Sequence, residues 1–119
     1  MTLSIVLAVA VGGAAGAVLR YLSGLWWGSL RGTFVANTVG CALLGSLVAW
    51  APGDTQAGAP WWYALLTLGL AGALSTWSTL AMQVYDLATR DRGAAVGYLL
   101  VTLGAGGLVA LVPLLAWGH

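Results

Sequence analysis

The chain has no lysine and no glutamate, and its 119 residues carry only four arginines and three aspartates. Charged residues make up 6% of it, against about 25% in a typical soluble domain. So few charges cannot cover a water-facing surface, which excludes a water-soluble fold. Disorder is excluded by the 61% hydrophobic content, since a disordered chain needs low hydrophobicity. A net charge of +1 provides no basic stripe, so no nucleic-acid partner is expected. The single cysteine, Cys41, rules out an internal disulfide framework and a cysteine-based zinc site. The one histidine is His119, and the acids Asp54, Asp86 and Asp91 lie away from the centre of any apolar run. No Ser/His/Asp arrangement, metal-ligand spacing or phosphate loop can be assembled, so an enzyme is not expected.

What is present is long apolar sequence, with a mean hydropathy of +0.94. A membrane-crossing helix needs about 20 mostly apolar residues. Four such stretches fill the chain as one transmembrane domain: about 3–22, 33–50, 61–87 and 94–117. The connectors Ser23 to Gly32, Ala51 to Pro60 and Ala88 to Gly93 are short and rich in glycine, proline or charge. The first stretch lacks a basic leader and ends at Arg20-Tyr21 rather than at a cleavage site, so it is expected to be a retained helix. Polarity does not alternate with period two, which argues against transmembrane strands. Trp26, Trp27, Trp50, Trp61, Trp62 and Trp117 fall near span ends, where amphipathic rings settle in a bilayer. Trp77 is the exception, deep in the third span.

Four spans place both termini and the second connector on one side. Arg31, Arg90 and Arg92 lie on the other, and Arg20 leans there. The positive-inside rule then predicts a multi-pass membrane protein with both termini outside and the arginine-bearing connectors in the cytoplasm. Small residues recur at four-residue spacing: Gly12 and Gly16, Ala36 and Gly40, Cys41 and Gly45, Gly69 and Ala73, Gly93 and Gly97. Such faces let helix backbones approach closely in lipid. They serve packing within one bundle, and their abundance also predicts a dimer.

Polar residues at membrane depth are functional candidates. Arg20 either snorkels to the headgroups or forms an electropositive vestibule for anions. Asn37 either bonds a neighbouring helix or offers its amide to a pore. In the third span, hydroxyls occupy four of the five positions from Ser75 to Thr79. On a continuous helix they would point nearly all round, some into lipid. A broken helix, expected near 72–79, accounts for them better, and broken backbone survives at this depth only when buried in protein or lining a polar cavity. Freed carbonyls there suit a cation, and freed N–H groups and hydroxyls suit an anion.

Three stretches together resemble the Fluc (CrcB) fluoride-channel family. They are Gly12-Gly13-Ala14-Ala15-Gly16-Ala17-Val18-Leu19-Arg20-Tyr21, then Gly32-Thr33 with Asn37 and Gly40, then Gly69 and Gly72 followed by Ser75-Thr76-Trp77-Ser78-Thr79-Leu80. Their order and spacing cover essentially the whole chain. The resemblance implies an all-α membrane protein with four transmembrane helices and a broken third helix, assembled as an antiparallel dimer with two narrow fluoride pathways. It implies passive exit of fluoride, and a structural sodium ion held by the backbone carbonyls of Gly72 and Ser75. Asn37 matches the family's pore asparagine. Trp77 and Leu80 match its two pore phenylalanines, and Tyr98 and Thr102 its fourth-helix polar line. Hydroxyls at Ser78, Thr79 or Thr102 could add donors, replacing the water that fluoride holds tightly.

The departures are informative. Trp77 keeps a ring edge and an indole N–H, whereas Leu80 offers neither, and Gln83 stands where many members carry an acid. The arginine bias and the eroded aromatic pair favour a partner subunit of different sequence over an identical copy. Two other classes fit the size: a four-helix small-multidrug-resistance-type exporter, which needs an acid in the first helix that is lacking here, and a non-transporting packing subunit. The expected partners are a second subunit in opposite orientation, fluoride and membrane lipid.

Overall fold

The computed structural model describes residues 2–51 and 60–117. Residues 52–59 of the second connector, with Asp54, and the terminal His119 lie outside the described residues. Among the described residues there are helices and no strand, and four helical spans are long and apolar enough to cross a membrane. They are α1 (Leu3–Trp27), α2 (Ser29–Trp50), a divided third span (Trp61–Ala88) and a last helix (Arg92–Trp117). The third span consists of α3 (61–74) and α4 (Trp77–Ala88), and the last helix is α5. The bundle is 47 Å long, close to the thickness of a bilayer with its headgroups at about 40–45 Å.

The helices approach through the small residues. Gly12 and Gly16 of α1 face the backbone of α3. A Cβ on Gly12 would collide with the Leu65 carbonyl, and one on Gly16 would lie 2.5 Å from the Leu70 carbonyl oxygen. Seen from α3, a Cβ on Gly69 would lie 2.9 Å from the Gly12 Cα, so the two stripes pack into each other. Gly45 of α2 abuts Ala110 of α5 in the same way. Gly13, Gly97, Gly104 and Gly107 have nothing within 4 Å of such a Cβ, so these small residues face away from the chain's own packing.

Where a connector from Ser23 to Gly32 is expected, α1 and α2 are separated by Gly28 alone. Gly28 has φ +85°, a region open to glycine at little cost, and this one residue makes the reversal. The residues around it continue the helices because they pack there. Ser23 donates its hydroxyl to the Leu19 carbonyl within α1, and Gly24 and Gly32 bring the two backbones together beside the turn. The last connector is short as well: Asp86 and Arg90 form an exposed ion pair of 2.9 Å at the end of α4, and Asp91 accepts from the Ala94 N–H at the start of α5.

α3 is not a regular α-helix. From Leu65 to Ala71 it widens into π-helical turns, so the Gly72 N–H reaches back to the Thr67 carbonyl. It ends at Leu74, and Ser75 (ψ 151°) and Thr76 (ψ 122°) are extended before α4 begins at Trp77. The third span is therefore broken halfway, inside the window where the crowded hydroxyls place the break.

Candidate functional site

The break is held open by α2. Asn37 is buried, and its carboxamide pairs with the backbone of Thr76 as another peptide would. Oδ1 accepts from the Thr76 N–H at 2.6 Å, and Nδ2 donates to the Thr76 carbonyl at 3.2 Å. Inside a low-dielectric bundle an unpaired peptide group is costly, so this pairing allows the extended residue to exist at that depth. An amide nitrogen carries two hydrogens, and one of them remains available.

The hydroxyls that crowd the sequence here separate into distinct tasks. Ser75 donates back to the Ala71 carbonyl at 3.0 Å, covering an acceptor at the end of α3. Thr76 caps α4, its Oγ1 accepting from the Thr79 N–H at 3.2 Å. Ser78 is exposed, and Thr79 points to a separate cavity described below. The carbonyls at the end of α3 lose their helical donors as a result, those of Gly72 and Ser75 among them. In a continuous helix the Gly72 carbonyl would accept from Thr76 N–H and the Ser75 carbonyl from Thr79 N–H. Both donors are diverted, to Asn37 and to the Thr76 hydroxyl. The Gly72 carbonyl keeps only a long contact of 3.5 Å from the Ser75 hydroxyl. Among the described residues, no cluster of His, Cys, Asp or Glu could hold a metal ion.

Beside the break is an open groove of about 280 Å³. Asn37, Ser75, Trp77, Leu80 and Thr102 meet there, five of the residues singled out in the sequence. Trp77 is largely exposed, whereas Leu80 packs inward with 2% of its surface accessible. Thr102 is 4% exposed, and its hydroxyl has no hydrogen-bond partner. A buried hydroxyl normally finds one; those of Thr102 and Thr38 have none among the described residues. The first turn of α4 also opens beside the break; its leading N–H groups lack intrahelical acceptors, and Thr76 caps only that of Thr79.

Toward the arginine-bearing end, Arg20 is half-buried beside a cavity of about 430 Å³ that it shares with Ser29, Thr33, Thr79 and Gln83. Among the described residues it has no carboxylate partner. Tyr98 lies at the same end without lining the groove. Its hydroxyl is within donating reach of the Leu30 carbonyl (3.0 Å) and of Gln83 Oε1 (2.9 Å). Gln83 in turn donates to the Ser29 carbonyl and hydroxyl, at 3.0 and 2.9 Å, so one side chain ties α2, α4 and α5 together.

Sequence reasoning passed over Thr76 as a residue with its own task, and passed over Cys41 and Gly106 on the groove wall. The signals were available. Thr76 stands one residue before a helical segment, the position of an N-cap. Cys41 and Gly106 each lie four residues beyond a selected residue, Asn37 and Thr102, and so on the same helix faces.

Comparison with known proteins covers nearly the whole chain. A family model described as "CrcB-like protein, Camphor Resistance (CrcB)" matches residues 7–114. The "Fluoride-specific ion channel FluC" of Proteus mirabilis (strain HI4320) is 37% identical over 111 residues, covering 87% of this chain and 84% of that protein. The protein of the same name from Pseudomonas paraeruginosa is 37% identical over 118 residues, covering 92% and 90%. "Fluoride-specific ion channel FluC 2" of Rhodococcus jostii (strain RHA1) is 39% identical over 106 residues, covering 85% and 88%.

Proposed function

The chain belongs to the CrcB family, and from that membership we propose that it is a fluoride-specific channel subunit that lets cytoplasmic fluoride leave the cell passively. It is a passive channel protein rather than an enzyme. The observation that carries the reading is the Asn37 clamp, which holds a helix open at membrane depth beside the orphan hydroxyl of Thr102.

Fluoride is small and strongly hydrated, so a passage must offer donors as water is stripped away. The groove wall has the free hydrogen of the Asn37 amide, the Thr102 hydroxyl, and the ring edge and indole N–H of Trp77. Arg20 concentrates anions at the cytoplasmic mouth, next to the hydroxyls of Ser29, Thr33 and Thr79. Thr79 and Tyr98 belong to this mouth on our reading. Ser78, exposed next to Trp77, is read as a further hydroxyl donor of the pathway.

The partner is a second subunit of opposite orientation in the bacterial inner membrane. Arg31, Arg90 and Arg92 share one end of the bundle, and we assign that end to the cytoplasm and both termini to the outside. Such a bias favours one fixed orientation. Leu80, which cannot present an aromatic edge, also favours a partner of different sequence. The Gly72 and Ser75 carbonyls, relieved of their helical donors, would hold a structural sodium ion, which would supply positive charge at the break.

The test is reconstitution into fluoride-loaded liposomes, alone and with a paralogous subunit, with efflux read by a fluoride electrode. Fluoride is expected to leave and chloride to stay, with full rates only in the mixed pair. Robust efflux from this chain alone would overturn the mixed pair. Absence of efflux in both preparations would overturn the channel reading.

A further inference from the structure

The groove beside the break holds one reactive group that fluoride passage leaves without a role, the thiol of Cys41. It stands one turn beyond Asn37 on α2, across the groove from the matching pair on α5, Thr102 and Gly106. Gly106 has no side chain to fill its share of the wall, and a Cβ placed on it would lie 3.2 Å from Cys41 Sγ, so the thiol lies over bare backbone. Cys41 is half-buried rather than sealed in. Thr102, beside Gly106 on α5 and also lining the groove, is 4% exposed with a hydroxyl that has no partner among the described residues.

We propose that Cys41 is a modification site: a small thiol-reactive electrophile enters the groove, caps the thiol, and closes the groove to anions. This rests on the reading of the groove as the anion path. With an alkyl methanethiosulfonate, the Cys41 sulfur attacks the sulfenyl sulfur. A new S–S bond forms, the S–S bond of the reagent breaks, methanesulfinate leaves with the electron pair, and the thiol proton goes to solvent. The added alkylthio group occupies the space between Cys41, Thr102 and Gly106 and covers the one free hydroxyl of the wall.

The experiment uses the full chain in liposomes, with its partner subunit if efflux requires one, and methyl methanethiosulfonate as the probe. Intact-mass spectrometry follows modification and an electrode follows fluoride. Cys41 is expected to take up one methylthio group, with loss of most of the efflux and recovery on adding dithiothreitol. Cys41→Ala, whatever its own rate, is expected to be indifferent to the reagent. Full modification with undiminished efflux would overturn the proposal. Two further variants report on the site without reference to transport, each checked for folding by size-exclusion chromatography. Gly106→Ala crowds the sulfur directly, Thr102→Phe fills the groove, and both are expected to slow modification severalfold. Unchanged modification rates in both would mean that the thiol is reached from elsewhere, and would overturn the site. A protein that passes no fluoride in any arm overturns the anion-path reading, while the modification rates still decide where the thiol opens.

Discussion

Asn37 and Thr76 are 39 positions apart in sequence and joined by two hydrogen bonds, so a side chain of α2 completes the backbone of the third span where that span has no helix. The geometry needs an acceptor and a donor on one short planar group. A short amide supplies both without depending on protonation, which accounts for asparagine at this position.

Asn37→Ala should therefore leave the buried Thr76 N–H and carbonyl unpaired. The expected cost is about 1–3 kcal/mol for each unsatisfied group. Asn37→Asp keeps the acceptor for the N–H but sets a carboxylate oxygen against the Thr76 carbonyl, and should lose fluoride efflux as completely as alanine does. Thermal unfolding in detergent together with liposome efflux checks both. Retention of wild-type stability by Asn37→Ala would show that the break does not depend on the clamp.

The packing of α1 on α3 yields a contrast between neighbouring glycines. A methyl on Gly16 would lie 2.5 Å from the Leu70 carbonyl oxygen, whereas one on Gly13 meets nothing within 4 Å. Gly16→Ala should destabilise the fold by about 1–3 kcal/mol through overpacking. Gly13→Ala should leave the isolated subunit as stable as wild type, or slightly more so, since alanine is the better helix former. Melting temperatures of the two variants, measured side by side, decide this. Equal values would mean that the α1–α3 contact is looser than its backbone distances imply.

Much of this architecture is legible in the sequence, because membrane helices announce themselves by apolar length and pack through small residues. The stripe of Gly12 and Gly16 and that of Gly69 and Ala73 stand out as sequence and meet in the fold. The crowding of Ser75, Thr76, Ser78 and Thr79 locates the break, since a continuous helix cannot hide four hydroxyls. What hid were features set by tertiary contact. The run from Ser23 to Gly32 has the composition of a loop, yet it is helix on both sides of Gly28 because Gly24 and Gly32 pack together. Leu65 to Ala71 has no unusual composition, yet it forms π-helical turns where it packs on Gly12 and Gly16 of α1. Nor does a sequence reveal that the Thr102 hydroxyl lacks a partner while that of Tyr98 reaches two acceptors.

Gln83 is a place where one atom decides the electrostatics of the mouth. Its Nε2 donates to Ser29, its Oε1 accepts from Tyr98, and it lines the same cavity as Arg20. Gln83→Glu preserves the acceptor for Tyr98, removes the donor to Ser29 and brings a negative charge to the anion vestibule. Since many family members carry an acid here, Gln83→Glu should still conduct fluoride, and any deficit its charge causes should shrink as ionic strength rises, because salt screens a charge at an open mouth. Gln83→Leu removes the hydrogen bonds without adding charge, so any deficit it shows should be independent of salt. The salt dependence of liposome efflux separates the two effects, and a salt-independent Gln83→Glu deficit would place the residue's role in structure alone.

Thr102→Val gives the sharpest distinction between a structural and a conducting role. The two side chains have nearly the same shape, and among the described residues the threonine hydroxyl makes no hydrogen bond. Removing a buried, unpartnered hydroxyl takes away a desolvation cost of about 1–3 kcal/mol, part of which should appear as added stability. A hydroxyl kept only for packing would therefore be improved by valine, with transport unaffected. A hydroxyl kept as a donor to a passing anion should instead yield a protein that is at least as stable and conducts fluoride markedly less. Unfolding midpoints and efflux rates from one preparation test this, and a stable variant with full fluoride efflux would remove Thr102 from the pathway.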